Sequence, residues 1–286
     1  MANLKEIRNR IVSVSSTMQI TSAMKMVSAA KLKKAQDAIT AMRPYANKLS
    51  ELLQNFSGSI DGETGSKYTD NREVKNVLIV AITSNRGLCG AFNSNIIKHC
   101  LSMQKDHYDG KQVDFISIGK KAQDLIGKKH NVISDHSQIY DALSFNNAAD
   151  IAEELMQLYT DGSYDKIELV YNKFKNAATQ IVTTEQFLPI VPMEQSSNTT
   201  ADYIFEPEKA AIVEQLIPKS LKTQLFKAIR DSFASEHGAR MTAMHKATDN
   251  ATELRDQLKL TYNQARQAAI TNEILEIVGG AEALNN

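Results

Sequence analysis

A glycine-bearing turn, SNRGLCG at Ser84–Gly90, stands between an apolar run and a helical stretch, a position where many proteins bind phosphate. Such a turn needs a Gly-Lys-Ser/Thr ending to supply the lysine and the magnesium ligand of a nucleotide site. This turn lacks that ending, and it also lacks the three-glycine spacing of dinucleotide-binding folds. Gly87 and Gly90 are therefore interpreted as turn residues with a backbone role.

The cysteines and histidines near this turn form no standard metal motif. Cys89, His99, Cys100 and His107 do not have the spacing of a zinc site. No grouping of serine, histidine and carboxylate stands out as a hydrolase site. The sequence therefore predicts no catalytic residue, no cofactor and no metal.

The strongest local charge lies in the first fifty residues, although the whole chain is neutral, with 33 Lys and Arg against 33 Asp and Glu. A neutral chain has no overall field that favours nucleic acid or an anionic membrane. In the first fifty residues, nine basic side chains accompany only Glu6 and Asp37, which gives a net charge of plus seven. The nine are Lys5, Arg8, Arg10, Lys25, Lys31, Lys33, Lys34, Arg43 and Lys48. Taken alone, such a run is most often a solvated helix face, since exposed ion pairs contribute only ~0 to 1 kcal/mol each.

One long helix is predicted to carry these charges, from Asn3 to about Asn55, where the sequence has a single proline, Pro44, and no glycine. At 1.5 Å per residue this helix is roughly 75 Å long, which is too long to be buried in its own fold. Its apolar residues recur in alternating steps of three and four, the pattern of a coiled-coil seam. They are Leu4, Ile7, Ile11, Val14 and Met18.

Strand patterns alternate with helical patterns in the middle of the chain, which predicts an α/β domain with a mainly parallel sheet. The predicted strands are Val77–Ile82, Val113–Ile118, Ile167–Tyr171 and Gln180–Phe187, and the predicted helices are 92–105 and 147–159.

The helical pattern returns from Glu208, and Pro218 is predicted to mark a break or a first turn. A second long helix is predicted from Lys219 to about Leu284. The fold class is therefore an α/β domain inserted between two long terminal helices that form an antiparallel coiled coil. The predicted domains are a coiled-coil helix at 1–56, a linker at 57–76, a Rossmann-like α/β domain at 77–205 and a coiled-coil helix at 206–286.

The apolar seams also predict a pairing register for the two helices. The pairs are Leu4 with Tyr262, Ile7 with Leu258, Ile11 with Leu254, Val14 with Ala251, Thr21 with Met244 and Met24 with Met241. A shift of one heptad also brings apolar residues together, so neighbouring registers stay open. In this register the helix beyond Tyr262 has no partner, and Ile270, Ile274 and Ile277 are exposed.

The two cysteines and the charged start of the chain, MANLKEIRNR, predict reduced thiols and a bacterial chain without a signal peptide. No apolar run reaches the ~18 to 20 residues that a membrane helix requires. Any membrane association is therefore expected to be indirect.

Three blocks of the sequence resemble the gamma-subunit family of bacterial F-type ATP synthases, and the resemblance covers nearly the whole chain. The blocks are IRNRIVSVSSTMQITSAMKMVSAAKLKKAQ near the start, SNRGLCGAFNSNI at the turn, and ITNEILEIVGGAEA at Ile270–Ala283. The resemblance implies a central-stalk rotor, without a catalytic site of its own, that couples ion flow through the membrane sector to ATP synthesis or hydrolysis in the alpha/beta ring by rotation. The implied partners are three alpha and three beta subunits, the epsilon subunit and the ring of c subunits, at the cytoplasmic face of the bacterial membrane.

The same resemblance implies two sets of contact residues, each of which has an alternative as ordinary solvent-facing or seam residues. Contacts with the catalytic ring are expected at Met24, Lys31, Lys33, Lys34, Arg240, Arg266, Gln267, Thr271, Glu273, Glu276 and Ile277. Contacts at the foot of the rotor are expected at Tyr203, Phe205 and Glu206.

Two other functions fit parts of the sequence. One is an α/β enzyme with dimerising helical arms, in which Ser84–Asn93 is the ligand loop. The other is a passive coiled-coil adaptor. A closely specified C-terminal helix favours the rotor, since an enzyme does not need one.

Overall fold

The computed structural model describes residues 4–57, 67–69, 72–190 and 209–284. Two long helices lie at the ends, α1 at Leu4–Ser57 and α5 at Lys209–Leu284. The elements between them are β1 (Asn76–Ile82), α2 (Phe92–Asp106), β2 (Gln112–Ile118), α3 (Lys120–Ile126), β3 (Val132–Asp135), a short 3-10 helix (Ser137–Tyr140), α4 (Phe145–Thr160), β4 (Lys166–Phe174) and β5 (Gln180–Leu188). The predicted α/β region between two terminal helices is confirmed.

The chain divides into two compact units. One comprises residues 1–28 and 241–286, and the other is the continuous stretch Ala29–Arg240. We call them the coiled-coil unit and the sheet unit.

The sheet unit is built around five strands in the order β3-β2-β1-β4-β5. All pairs are parallel except β4 with β5, so the predicted mainly parallel sheet is confirmed. The central strand β1 is the apolar run Val77–Ile82, whose side chains are all fully buried. Such a run is typical of a parallel strand covered on both faces. One face packs against α4 and the Ile217–Ile229 part of α5, and the other packs against α2 and α3.

Small residues let α5 approach the sheet closely. Ala228, Ala234 and Ser235 have no exposed surface, and the Ser235 hydroxyl donates to the Asn172 carbonyl at 2.9 Å. A side chain added at Gly238 would place its Cβ 3.2 Å from the Ala177 backbone. This stretch of α5 is therefore shaped to lie on the end of β4.

The structure corrects the prediction for Pro218. It lies inside α5, because the helix begins at Lys209 rather than next to the proline. A proline removes one backbone hydrogen bond from a helix. The burial of Ile217 and Leu221 in the core of the sheet unit favours the continuous helix.

The coiled-coil unit pairs α1 with α5 in antiparallel fashion, as the sequence predicts. The Thr248 hydroxyl donates to the Thr21 hydroxyl at 2.8 Å. Lys25 Nζ lies 3.4 Å from His245 Nδ1, and Arg255 Nη1 lies 3.4 Å from Met18 Sδ. Partners later in α1 therefore meet residues earlier in α5.

The predicted register of this pairing is wrong by about one helical turn. Thr21 meets Thr248 instead of Met244, and Leu254, the predicted partner of Ile11, is 39% exposed. The reason is that two polar residues, Thr248 and Arg255, occupy the side of α5 that faces α1. A search for apolar spacing passes over such residues, although polar seam residues often fix the register of a coiled coil.

The last part of α5 has no packing partner in the coiled-coil unit. Every described side chain from Arg266 to Ala281 is exposed. The predicted exposure of three isoleucines is confirmed: Ile270, Ile274 and Ile277 are 47%, 55% and 66% exposed. We call residues 266–281 the overhang.

Candidate functional site

The turn after β1 is closed by its own hydrogen bonds. The side-chain amide of Asn93 donates to the Ser84 hydroxyl at 2.8 Å, and its oxygen accepts from the Ser84 backbone N–H at 3.0 Å. The Ser84 hydroxyl donates in turn to the Arg86 carbonyl at 2.7 Å. Asn85 donates to the Ser137 carbonyl at 2.9 Å, which ties the turn to the next part of the sheet unit. The polar side chains at the start of Ser84–Gly90, which we call the β1 loop, are therefore occupied by structural bonds.

The β1 loop presents an apolar tip. Leu88 is 64% exposed and has a backbone φ of 62°, and the following Gly90 has a φ of 60°. A leucine in the left-handed region costs about 1 to 3 kcal/mol and persists only where the surroundings hold it. Such strain is a reason to look for a function at this position.

Arg240 of α5 is buried and binds the β1 loop. Its guanidinium pairs with Glu236 at 2.6 Å, and each partner's side chain is about nine-tenths buried. It also donates to the carbonyls of Arg86 and Gly87 at 3.2 and 3.3 Å. Arg240 was predicted as a contact of the catalytic ring, but the structure places it inside the sheet unit, against the chain's own loop.

His237 lies beside this ion pair. Its Nδ1 is 3.4 Å from Arg240 Nη1, and its ring packs edge-on to Phe233 with centroids 4.5 Å apart. Burial, together with the positive charges of Arg240 and Lys31, lowers the pKa of His237 to about 4. Burial also raises the pKa of Glu236, which Arg240 opposes. The imidazole is therefore neutral at physiological pH.

His237 predicts a loss of stability in acid. Its pKa falls from 6.5 when exposed to about 4 in the folded chain, so below pH 6.5 the unfolded state binds more protons. This contribution to stability is complete above pH 6.5 and is lost as the pH falls toward 4. Between pH 7.5 and 5, the unfolding free energy should fall by about 2 kcal/mol more in the wild type than in His237→Gln.

Urea denaturation of the full chain at the two pH values measures this difference. His245→Gln is the matched control, because the His245 side chain is 57% exposed. Equal acid sensitivity of His237→Gln and the wild type would contradict a neutral, buried His237.

The predicted basic contacts lie on the exposed side of α1. Lys31, Lys33 and Lys34 are exposed, whereas Met24 is half-buried in the coiled-coil unit. Lys31 lies close enough to Glu236 and His237 for its charge to shift the pKa of both. The structure therefore brings Lys31 to the same region of the sheet unit as Arg240.

The overhang carries all the remaining predicted ring contacts, and each is exposed. They are Arg266, Gln267, Thr271, Glu273, Glu276 and Ile277. The side chains at 270, 274 and 277 are spaced by four and three, so they lie on one side of the helix. The overhang is a helix with an apolar side that nothing in its own unit covers.

The sequence comparisons identify the family. The chain matches the model of the ATP synthase family over residues 3–284. The ATP synthase gamma chain of Flavobacterium johnsoniae is 73% identical over 286 residues, which is the full length of both chains. This chain belongs to the ATP synthase gamma chain family. Gamma chains of Cytophaga hutchinsonii and Geobacter sp. strain M21 are 54% and 44% identical, and each alignment covers at least 99% of both chains.

Chains in solved ATP synthase structures share the fold. The chain matches one in the mitochondrial ATP synthase of Euglena gracilis, captured in rotational state 3, with a TM-score of 0.70 and 23% identity. The match covers 98% of this chain and 94% of that one. A second match, to the central stalk and c-ring structure of Tetrahymena thermophila, has a TM-score of 0.60 and 26% identity, and it covers 80% of this chain and 99% of that one. The arrangement of two terminal helices around an α/β sheet is therefore shared with a chain in each of these ATP synthase structures.

Three predicted contacts of the gamma chain, Tyr203, Phe205 and Glu206, lie outside the described residues. Within the described parts of the chain, no helix is long and apolar enough to span a bilayer. In those same parts, no cluster of three His, Cys, Asp or Glu side chains is arranged to hold a metal ion.

Sequence reasoning missed Leu88, Glu236 and His237 as functional candidates. The spacing of Glu236 and Arg240 by four residues is a signal for a helix ion pair. Their burial and the approach of the β1 loop depend on contacts between segments about 150 residues apart, which spacing does not reveal.

Proposed function

We propose that the chain is the rotating central shaft of an ATP synthase, with its overhang inserted into the catalytic ring. Membership of the gamma chain family supports this role. The matched structures are described as the rotor in Euglena gracilis and as the central stalk with the c-ring in Tetrahymena thermophila. The proposed partners are three alpha and three beta subunits around the shaft, with the epsilon subunit and the c-ring at its foot. The proposed location is the cytoplasmic face of the bacterial membrane, with only indirect membrane contact.

The single observation that carries this proposal is the exposed apolar side of the overhang. Ile270, Ile274, Leu275, Ile277 and Val278 are each 47% to 66% exposed on a helix without a partner in its own unit. Burying a large aliphatic side chain contributes about 1.5 to 3 kcal/mol. Five such side chains within nine residues therefore favour a cavity in another protein over solvent.

The proposed mechanism is mechanical. As the chain turns, each of three catalytic sites meets a different side of it in succession, and the contacts shift each site among forms of different nucleotide affinity. A tenfold change in affinity needs about 1.4 kcal/mol of differential contact energy. A few changed side-chain contacts per step are enough for that.

The exposed lysines of α1 are proposed to tune this contact. Lys31, Lys33 and Lys34 are exposed, and the proposed partner surface is an acidic segment of the beta subunits. Each exposed pair contributes only ~0 to 1 kcal/mol. The lysines therefore adjust docking and register, whereas the apolar overhang supplies most of the binding.

Reversing these three charges tests that role. The change of Lys31, Lys33 and Lys34 to Glu should weaken assembly about tenfold at low salt, and the defect should shrink as salt screens the repulsion. Sedimentation of reconstituted complexes at several ionic strengths measures the effect. The same reversal at three other exposed lysines, Lys105, Lys128 and Lys129, is the control. Equal assembly of the two triple variants at every ionic strength would mean that Lys31, Lys33 and Lys34 form an ordinary solvated face.

We also propose that the chain has no catalytic site of its own. The side chains of Ser84 and Asn85 at the start of the β1 loop are used in bonds within the chain, and the loop lacks the lysine of a phosphate-binding motif. The isolated chain is therefore expected to show no ATP binding in the micromolar range by calorimetry. Micromolar binding would favour the alternative, an α/β enzyme with helical arms.

Co-purification separates the shaft from a passive coiled-coil adaptor. A tagged chain expressed in its own host should bring down alpha, beta and epsilon subunits together with ATPase activity coupled to ion pumping. Recovery of the chain without them would remove the basis for the proposal.

Tyr203, Phe205 and Glu206 are proposed to contact the epsilon subunit and the c-ring, and their change to Ala should reduce c-ring retention in the same preparation.

A further inference from the structure

Arg240 is the one predicted ring contact that is buried inside the sheet unit, and its partners are backbone carbonyls of the β1 loop. We infer that Arg240 is a positioning residue that locks the β1 loop in the conformation that presents Leu88 to the catalytic ring. This inference rests on the proposed shaft function for the ring contact alone. The lock itself is a property of the isolated chain.

The helix α5 holds the guanidinium of Arg240 in place. Glu236 lies one turn before Arg240 on the same helix and holds the guanidinium at 2.6 Å. The opposite side of the guanidinium donates to Arg86 and Gly87. One planar cation therefore connects a rigid helix to two successive carbonyls of a loop, a geometry that arginine provides and lysine does not.

Other bonds hold the two ends of the loop. The Ser84 hydroxyl shares the Arg86 carbonyl with Arg240, and the Asn93 amide donates to the Cys89 sulfur at 3.2 Å. The Ser84 and Asn93 bonds hold the start of the loop, and Asn85 is tied to Ser137. Next to the tip, a side chain added at Gly87 would meet nothing within 4 Å. Without Arg240, the two carbonyls that precede the strained Leu88 therefore lose their bonds to α5.

The burial of the Arg240–Glu236 pair makes the loss of either partner costly. The side chains of Arg240 and Glu236 are 9% and 10% exposed, so their bonds are charge-assisted and shielded from water. Removing one charge leaves the other buried without a partner. The two residues therefore act as one unit. The test needs a variant that removes both charges as well as a variant that removes only the charge of Arg240.

The cysteine in the loop reports on the lock directly. Cys89 is 2% exposed within the β1 loop, and Cys100 is fully buried in α2. Alkylation of Cys89 therefore follows opening of the loop, whereas alkylation of Cys100 follows unfolding of the sheet unit. The rates are measured on the full isolated chain with iodoacetamide at constant pH, and each cysteine is quantified by mass spectrometry.

Arg240→Gln and the double change of Glu236 and Arg240 to Gln should each raise the Cys89 rate at least about tenfold relative to Cys100. Arg240→Lys should not restore the wild-type rate, because the compact ammonium does not span the distance from the carboxylate to the two carbonyls as the planar guanidinium does. Arg230→Gln is the matched control, since Arg230 also lies on α5 and donates to a carbonyl, that of Leu143, at 3.3 Å. An unchanged ratio of the two rates in both Arg240 variants would overturn the lock.

The functional half of the inference is tested in the assembled complex by ATP-driven ion pumping per ATP hydrolysed. Leu88→Asn keeps a residue that tolerates the left-handed conformation but removes the apolar tip. It should lower this coupling ratio several-fold without changing Cys89 alkylation, and adding Arg240→Gln should lower it no further. Additive losses, or full coupling in Leu88→Asn, would overturn the role of the tip. A complex that fails to form with the wild-type chain would instead contradict the proposed function and leave the alkylation result standing.

Discussion

Changing Ile270, Ile274 and Ile277 together to Ala is expected to weaken assembly of the chain with the catalytic ring by about a hundredfold. Each isoleucine is about half exposed or more in the free chain, so it has surface left to bury on binding. Losing about half of the full transfer energy of the deleted carbons at three sites amounts to about 3 kcal/mol. The unfolding free energy of the isolated chain should change by less than about 1 kcal/mol, because alanine is a good helix former.

Analytical ultracentrifugation of reconstituted complexes measures the loss of assembly, and urea denaturation measures the stability of the isolated chain. The control variant changes Leu125, Ile133 and Ile181 to Ala, three exposed aliphatic residues of the sheet unit. Assembly of the overhang variant at the control's level would mean that the apolar side of the overhang is not the binding surface.

We expect cysteines introduced at positions 21 and 248 to form a disulfide between α1 and α5. In a background with Cys89→Ala and Cys100→Ala, the variant Thr21→Cys with Thr248→Cys should oxidise almost completely to an intramolecular bridge. The two hydroxyls are 2.8 Å apart, so the two side chains are in direct contact, as a disulfide requires. The pair Ile11→Cys with Leu254→Cys, which the apolar seams predict to be in contact, should bridge poorly because Leu254 is turned outward.

Non-reducing gel electrophoresis and peptide mapping measure the yield of each bridge. Efficient bridging at 11 and 254 with little at 21 and 248 would contradict the observed register and support the one predicted from the seams. Bridging between separate chains at either pair would contradict the intramolecular coiled coil.

The sequence predicts an element well where one local pattern dominates. The strand β1 is a continuous apolar run, so its burial follows from composition alone, and the seam of α1 is apolar at the steps of three and four that a coiled coil requires. β3 was not predicted because it is only four residues long and none of its side chains is buried. The register was missed because Thr248 and Arg255 lie where α5 faces α1, and apolar spacing does not detect polar residues.

The candidate site also has one part that the sequence predicts and one part that it does not. The exposed overhang was predicted from the pairing of the two apolar seams, which leaves the helix beyond Tyr262 without a partner. The lock on the β1 loop was not predicted because the contact joins Arg240 to the carbonyls of Arg86 and Gly87. Backbone carbonyls carry no sequence signature, so an arginine that binds them resembles any other helix arginine.

Single-molecule rotation tests the central claim most directly. A complex containing this chain is fixed to a surface through its catalytic ring, and a probe is attached to a cysteine introduced at exposed Lys128 of the sheet unit in the Cys89→Ala, Cys100→Ala background. We expect sustained one-way rotation of the probe when ATP is added, with a rate that follows the hydrolysis rate of the same complexes. A probe that stays still while those complexes hydrolyse ATP would contradict a rotating shaft.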